Sequence, residues 1–489
     1  MNTPQWQFRD PTLPGARPAE FAGRANPWTT RVAPWNRVSL AKVVLTLAVA
    51  GVLLNAGRAA VAAEEPPLPW PTEPLSLADC LNRAESHNAT IASAKKELEA
   101  AEGVVIQTRA ILLPKLQLSG EFRATEDQSV ESAATPLGTI RFGQTETWDA
   151  GVRLVQSVYE GGRMRSALRS SRLTRAAAVE RFQTVLLDEL LRVRESYYDA
   201  LLALEQIGVQ QASVTLLERE LQDNQRRFDA GSVPRFNVLR AEVELANAKP
   251  RLIRARNAWR NAKTSLAHLM GHRVPNDITE DIPLALSGKL ETVPFELELG
   301  KALVLAQDQR SELKALRAAE QLRREGMVEA RAGARPSLQA FAGYGVRRAQ
   351  FGESLSDELH GWSAGVQASW NLFDGRMTRG RVVEATARHE QSEIDYENTA
   401  RLISVEVRTS YSNFTEARDV LESQKKVVEQ ATEALRLATA RAEAGSGTQL
   451  DVLSAQTALT EARTTQNLAS RDYLVALARL QRSLGVETP

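Results

Sequence analysis

The chain has 489 residues, with 61 Lys+Arg against 60 Asp+Glu, a net charge of +1 and aromatics at only 6%. That balance excludes a basic nucleic-acid footprint and an acidic funnel, so no nucleic-acid partner is expected; a core of Ala, Leu and Val suits close helix packing better than a globular pocket. The single cysteine, Cys80, allows no internal disulfide.

Arg37 and Lys42 precede the apolar run Val43 to Leu54, and Ala60-Val61-Ala62 offers a small-x-small cleavage site before Glu64-Glu65. This is an export signal, so residues 1–63 read as an N-terminal extension with a signal peptide. Met1 to Asn36 is long and polar for the region ahead of such a run, as an over-extended start or an unusual leader would be. Residues 64–74 carry five prolines and read as an extended linker. No later segment is apolar for 18 residues, so no mature transmembrane helix is expected. Cys80 follows Asp79 where a lipoprotein needs a small residue, and no apolar run directly precedes it; a free thiol on a short helix is expected.

Beyond the linker the sequence repeats itself at a spacing of 214 residues. Trp148-Asp149-Ala150-Gly151-Val152 returns as Trp362-Ser363-Ala364-Gly365-Val366, and Ala230-Gly231-Ser232 with Asn237-Val238-Leu239 returns as Ala444-Gly445-Ser446 with Asp451-Val452-Leu453. A period of that length means two copies of one large unit, residues 75–291 and 292–489. In each, a helical segment (about 76–112 or 295–334) precedes two strands, about 115–126 and 146–158 or about 337–348 and 362–373. Period-two alternation puts Leu116, Leu118, Phe122, Trp148, Val152, Leu338, Tyr344, Trp362, Val366 and Trp370 on apolar faces opposite Gln117, Ser119, Gln367 and Asn371. Strand length and terminal aromatics fit a transmembrane barrel, with Trp148, Val152, Trp362, Val366 and Trp370 toward lipid. The intervening 126–145 and 350–361 read as extracellular loops.

Helices of unusual length follow, about 162–230 and 376–444, each on the order of 100 Å long and each stopped by a glycine, Gly231 or Gly445. Return helices, about 236–270 and 448–484, carry Ala, Leu and Val at three- and four-residue spacing, as antiparallel coiled coils do. Pro250 should kink or break the first of them. Four strands cannot close a barrel, because a sheet in lipid leaves no unpaired edge and the smallest bacterial barrels have about eight strands. Several chains must share one barrel; periodicity leaves their number open.

Catalytic readings are weak. His268 and His272 have ligand spacing, but Gly271 interrupts the helix between them and no third ligand is identifiable. Gly343-Tyr344-Gly345 lies in a strand, and Gly445-Ser446-Gly447 lacks the Lys-Ser/Thr of a phosphate loop. No enzyme activity, cofactor or metal is expected.

Two copies of helix, hairpin, very long helix, Gly turn and return helix resemble the TolC family of outer-membrane efflux proteins, over about Leu75 to Val486. The resemblance implies a mainly α homotrimer sharing one 12-stranded outer-membrane barrel above a periplasmic α-helical tunnel. A mixed belt would come from short helical pieces at about Leu77 to Asn88 and Phe295 to Gln307, with the irregular connection of residues 273–294. It implies an exit duct for efflux or type I secretion, with outer-membrane lipid, a periplasmic adaptor and an inner-membrane pump as partners; an exported coiled-coil scaffold or adaptor without a pore is the alternative. At the periplasmic tip it implies a constriction formed by the turns at Gly231 and Gly445 with Asp451, Ser454, Asn237 and Arg240. Asp451 would form a threefold carboxylate ring, or alternatively only an N-cap. Ser454, Gly447, Ala442 and Asn237 depart from the family's ion pairs and latch tyrosine, so closure there is expected to rest on packing and other hydrogen bonds, with Arg235 and Arg240 as contributors or as solvated charges.

Overall fold

The computed structural model describes residues 69–130, 132–136, 138–141, 144–273, 281–348 and 358–486. The export signal, the start of the linker and most of the 350–361 loop lie outside them. Eight α-helices, six strands and one 3-10 turn (Asp127–Ser129) are assigned among the described residues: α1 (Leu77–His87), α2 (Ala89–Ala110), β1 (Lys115–Ala124), β2 (Ser132–Thr135), β3 (Gly138–Arg141), β4 (Glu146–Glu160), α3 (Arg163–Asp229), α4 (Arg235–Leu269), α5 (Leu299–Gln309), α6 (Ser311–Ala332), β5 (Ser337–Arg348), β6 (Glu358–Ser369), α7 (Met377–Glu443) and α8 (Gln449–Leu484). Among the described residues, no helix is long and apolar enough to cross a membrane.

The sheet is antiparallel, in the order β1-β4-β5-β6. Its register aligns the apolar residues across all four strands: Leu118 opposes Val152, which opposes Tyr344, which opposes Trp362. Phe122 pairs with Trp148 and Ala340 with Val366. One face is therefore continuous and apolar, and it is uncovered, with Trp362 80% and Val366 66% exposed. The other face carries Gln117, Ser119, Asp149, Arg153, Ser363 and Gln367. There Arg153 lies over the Phe341 ring, 4.7 Å from its centroid. Among the described residues, β1 and β6 each leave one edge without a strand.

Five sequence expectations need correction. The segment 76–112 is two helices, because Asn88 takes an extended conformation, caps α2 by accepting from the Thr90 and Ile91 amides, and donates to Leu269 O of α4. The segment 295–334 likewise breaks at Arg310, between α5 and α6. β6 runs 358–369 rather than 362–373, so Trp370 lies past the strand; its indole donates to Ala334 O at 3.0 Å. The 126–145 loop carries a small hairpin of its own, β2-β3. Finally, of the kink or break expected at Pro250, the break does not occur: α4 continues through it.

The helices form two tiers. Nearer the sheet, α3 packs against α2 and α6, and α6 against α7; farther away, α3 packs against α4 and α8, and α8 against α7. Between the tiers is a belt. Leu75 bridges to Leu286, Trp70 stacks on His272, and the buried Lys263 amine pairs with Asp281 and donates to Ile282 O. Cys80, Val193, Tyr197, Leu201, Leu266 and Met270 form the core beneath it. Burial pushes the Cys80 thiol up to about 12, so it is an inert core residue, in line with the free thiol expected from the sequence.

Each return helix ends where a broken pair begins. Gly271 follows α4 with φ +79, and a Cβ there would stand 2.2 Å from His87 O; Gly485 follows α8 with φ +74 and presses on Arg310. The two copies thus use the same joint, glycine against the break between a short and a long helix.

Candidate functional site

The long helices stop for a local reason. Gly231 and Gly445 take φ +75 and +73, and the next residues, Ser232 and Ser446, donate their amides to Arg227 O and Arg441 O. This is the Schellman ending, which glycine reaches without a Cβ penalty. The serine hydroxyls bond the same carbonyls.

The two turns differ in what starts the return helix. Thr448 caps α8, and Asp451, three residues on, completes a capping box. Thr448 N and Oγ1 donate to Asp451 Oδ2 at 2.9 and 2.7 Å, while Asp451 N donates to Thr448 Oγ1 at 3.3 Å. Those bonds hold the Asp451 carboxyl below the usual carboxylate range, the Thr448 hydroxyl contributing most, so this exposed group is ionised. Asp451 is therefore at the third helical position, and Thr448 is the N-cap. In the first copy Pro234 and Asn237 fill those places, and no side chain caps α4. The sequence carried this signal: Thr448-Gln449-Leu450-Asp451 has the spacing of a capping box.

The turns share one end of the molecule but not one level. Leu453 packs into the cluster of Val214, Leu217, Leu245 and Leu252, and Gln449 donates to Glu220 Oε1 at 2.9 Å. Glu220 is about 14 Å short of the end of α3, at 1.5 Å per residue. The Gly231 turn thus reaches beyond the Gly445 turn, and Asn237 and Arg240, both part-buried, lie on the longer hairpin. Ser454 is exposed, one turn past Asp451.

Above the tip, α3 and α8 are tied by ion pairs that join the two copies: Asp199 with Arg471, Glu195 with Arg479 and Asp188 with Arg482, at 2.6 to 2.7 Å. Arg482 also reaches Glu312, and the buried Arg310 pairs with Glu312 and Glu406. Sequence spacing gave no sign of this cluster, because its members come from five helices or their junctions. Among the described residues, no cluster of three potential metal ligands includes His268 or His272; His272 is buried against Trp70.

Comparison with known proteins gives a consistent picture. The family described as outer membrane efflux protein matches residues 80–272 and 302–486, one stretch in each copy. The alkaline protease secretion protein AprF of Pseudomonas aeruginosa is 27% identical over 414 residues, 84% of this chain and 85% of AprF. The cobalt-zinc-cadmium resistance protein CzcC of Cupriavidus metallidurans is 25% identical over 393 residues, 80% of this chain and 85% of CzcC. Outer membrane protein TolC of Escherichia coli is 22% identical over 423 residues, 84% of this chain and 82% of TolC. Among solved structures, the Campylobacter jejuni CmeC outer membrane channel aligns with a TM-score of 0.70 at 17% identity, over 86% of this chain and 90% of that one.

Proposed function

The chain belongs to the outer membrane efflux protein family, and from that premise we propose that three copies close one barrel and one tunnel, forming the exit duct of a tripartite efflux or type I secretion system. It is an outer-membrane channel protein with a periplasmic helical tunnel, and not an enzyme. The observation that carries the assembly is the four-stranded sheet with an uncovered apolar face and two open edges. Lipid covers such a face, but it cannot satisfy open edges. β1 and β6 run antiparallel to each other, so β6 of one copy accepts β1 of the next without breaking the alternation. Two copies would give eight strands, whose interior side chains fill; three give twelve, the smallest multiple that leaves a passage.

The helices support the same ring. α2 and α4 form one lateral edge and α7 the opposite edge in both tiers, and both edges expose apolar side chains: Ile106, Phe236 and Ile253 on one, Val383, Ile394 and Leu402 on the other. A heterologous contact between unlike edges closes by rotation.

Below the belt, three copies of Asp451 would surround the passage as a carboxylate ring, supported by the exposure and ionisation of Asp451. The capping box and the ring are compatible roles for one carboxylate. Relatives named for protease secretion and for cobalt-zinc-cadmium resistance share this architecture, so cargo is set by the pump and adaptor, which are other chains.

The test is the full-length chain extracted from outer membranes in mild detergent. Trimers by mass, with ion conductance in planar bilayers, are expected. Monomers without conductance would mean an exported scaffold.

A further inference from the structure

Below the barrel, α6 and α7 bring together three side chains that ligate metals. Glu320 comes from α6; His389 and Glu393, one turn apart, come from α7. Their donor atoms all lie within 4.8 Å of one another, and His389 Nε2 is 3.7 Å from Glu393 Oε1. Counted from the ends of α6 and α7 nearest the sheet, both helices place the group about 18 Å below the barrel.

The arginines near this group are engaged elsewhere. Arg317 donates to the Tyr396 hydroxyl at 3.0 Å and lies over its ring, and Arg388 pairs with Glu384 at 2.6 Å. Among the described residues, neither Glu320 nor Glu393 forms an ion pair with lysine or arginine. The His389 side chain is 15% exposed, and its Nδ1 is buried without a hydrogen-bond partner.

The internal repeat supplies a control. His389 is 214 residues beyond Arg175, which binds Glu102 of α2 at 2.9 Å. The first copy closes its helix contact with a guanidinium that brings its own charge. The second copy instead brings an imidazole and two carboxylates together, Glu393 at the exposed side, with no guanidinium among them.

We propose that Glu320, His389 and Glu393 bind one divalent transition-metal cation per chain, of the zinc or cobalt class, as a clip between α6 and α7. One nitrogen and two carboxylate oxygens suit borderline cations better than calcium or magnesium, which take oxygen ligands alone. Three protein ligands leave a position for water. The unpartnered Nδ1 means that no second group orients the ring, a contact typically worth about 10- to 100-fold in affinity, so micromolar rather than nanomolar binding is expected. The site does not depend on the duct reading, since its ligands come from one chain.

The test is equilibrium dialysis of the purified full-length protein in detergent against zinc, with cobalt absorption spectra as a second readout. One zinc per chain is expected, with Glu320→Gln and Glu393→Gln each weakening binding at least about tenfold. His389→Arg copies the first repeat's arrangement, so it should keep helicity and oligomeric state while losing the metal. Absence of zinc binding by the unmodified protein at high micromolar zinc would overturn the proposal, as would binding that survives unchanged in all three variants. Bilayer conductance on the same preparations keeps the two readings separate: lost conductance with intact zinc binding counts against the duct alone.

Discussion

Gly271 illustrates how a single hydrogen atom can fix a joint. Its positive φ and the approach of His87 O leave no room for a methyl group. Gly271→Ala should therefore destabilise the protein by about 2 to 4 kcal/mol, from left-handed strain and overpacking together. Gly208 is the counterexample, lying inside α3 with nothing within 4 Å of the place a methyl group would take. Gly208→Ala should stabilise by about 1 kcal/mol through helix propensity. Thermal melting of the two variants checks the contrast; equal shifts would contradict the geometry. Asp451→Asn probes the tip: it keeps shape and most capping ability but removes one charge per chain. Cation preference and block by multivalent cations from the periplasmic side should weaken in bilayers, with thermal stability nearly unchanged. Unaltered selectivity with lowered stability would make Asp451 a capping residue only.

Among the elements, the sheet offers the sharpest test of orientation. Val366 lies on the apolar face opposite Ala340, and Gln367 on the polar face opposite Gln339. Val366→Arg should cost about 2 to 4 kcal/mol near the bilayer midplane, whereas Gln367→Arg should leave assembly intact. Yields of assembled protein in outer membranes decide it, and equal losses would reverse the face assignment. Alternation made these strands legible, because period two is a property of neighbouring residues alone. The long helices were legible too, from the absence of proline and the glycines that stop them. What escaped was set by contacts between distant segments. Asn88 breaks its helix partly by bonding Leu269 O, 181 residues away, and Trp370 leaves its strand to reach Ala334 O. The Arg310, Glu312 and Arg482 cluster exists only after α5, α6 and α8 converge. At the tip, by contrast, the capping box was readable; the unequal reach of the hairpins was not, since it depends on how α8 registers against α3.

At the scale of the molecule, that same buried cluster links acidity to integrity. Burial alone would raise the Glu312 carboxyl, but the Arg482 hydrogen bond and the charges of Arg310 and Arg482 hold it below its ordinary 4.5. Folding therefore favours the ionised form. Its stabilisation is complete above pH 4.5 and is lost as pH falls through the lowered folded value. Melting temperature should drop in that acid window, and Glu312→Gln should flatten the drop while lowering stability at neutral pH. Identical acid slopes would place the transition elsewhere. Topology has a separate check. An epitope inserted at Pro136, between β2 and β3, should be reached by antibody on intact cells, and one at Ser446 should not; the reverse would invert the orientation.

The belt and the tip are far apart, and that separation acts as a lever. From Tyr197 in the belt core to the end of α3 is about 48 Å along the helix axis. A swing of about 5° at that fulcrum carries the far end about 4 Å, more than the diameter of a water molecule. In the proposed duct, an aperture at that end would be geared to small rotations at the belt, against the resistance of the Lys263–Asp281 pair and the Gly271 joint.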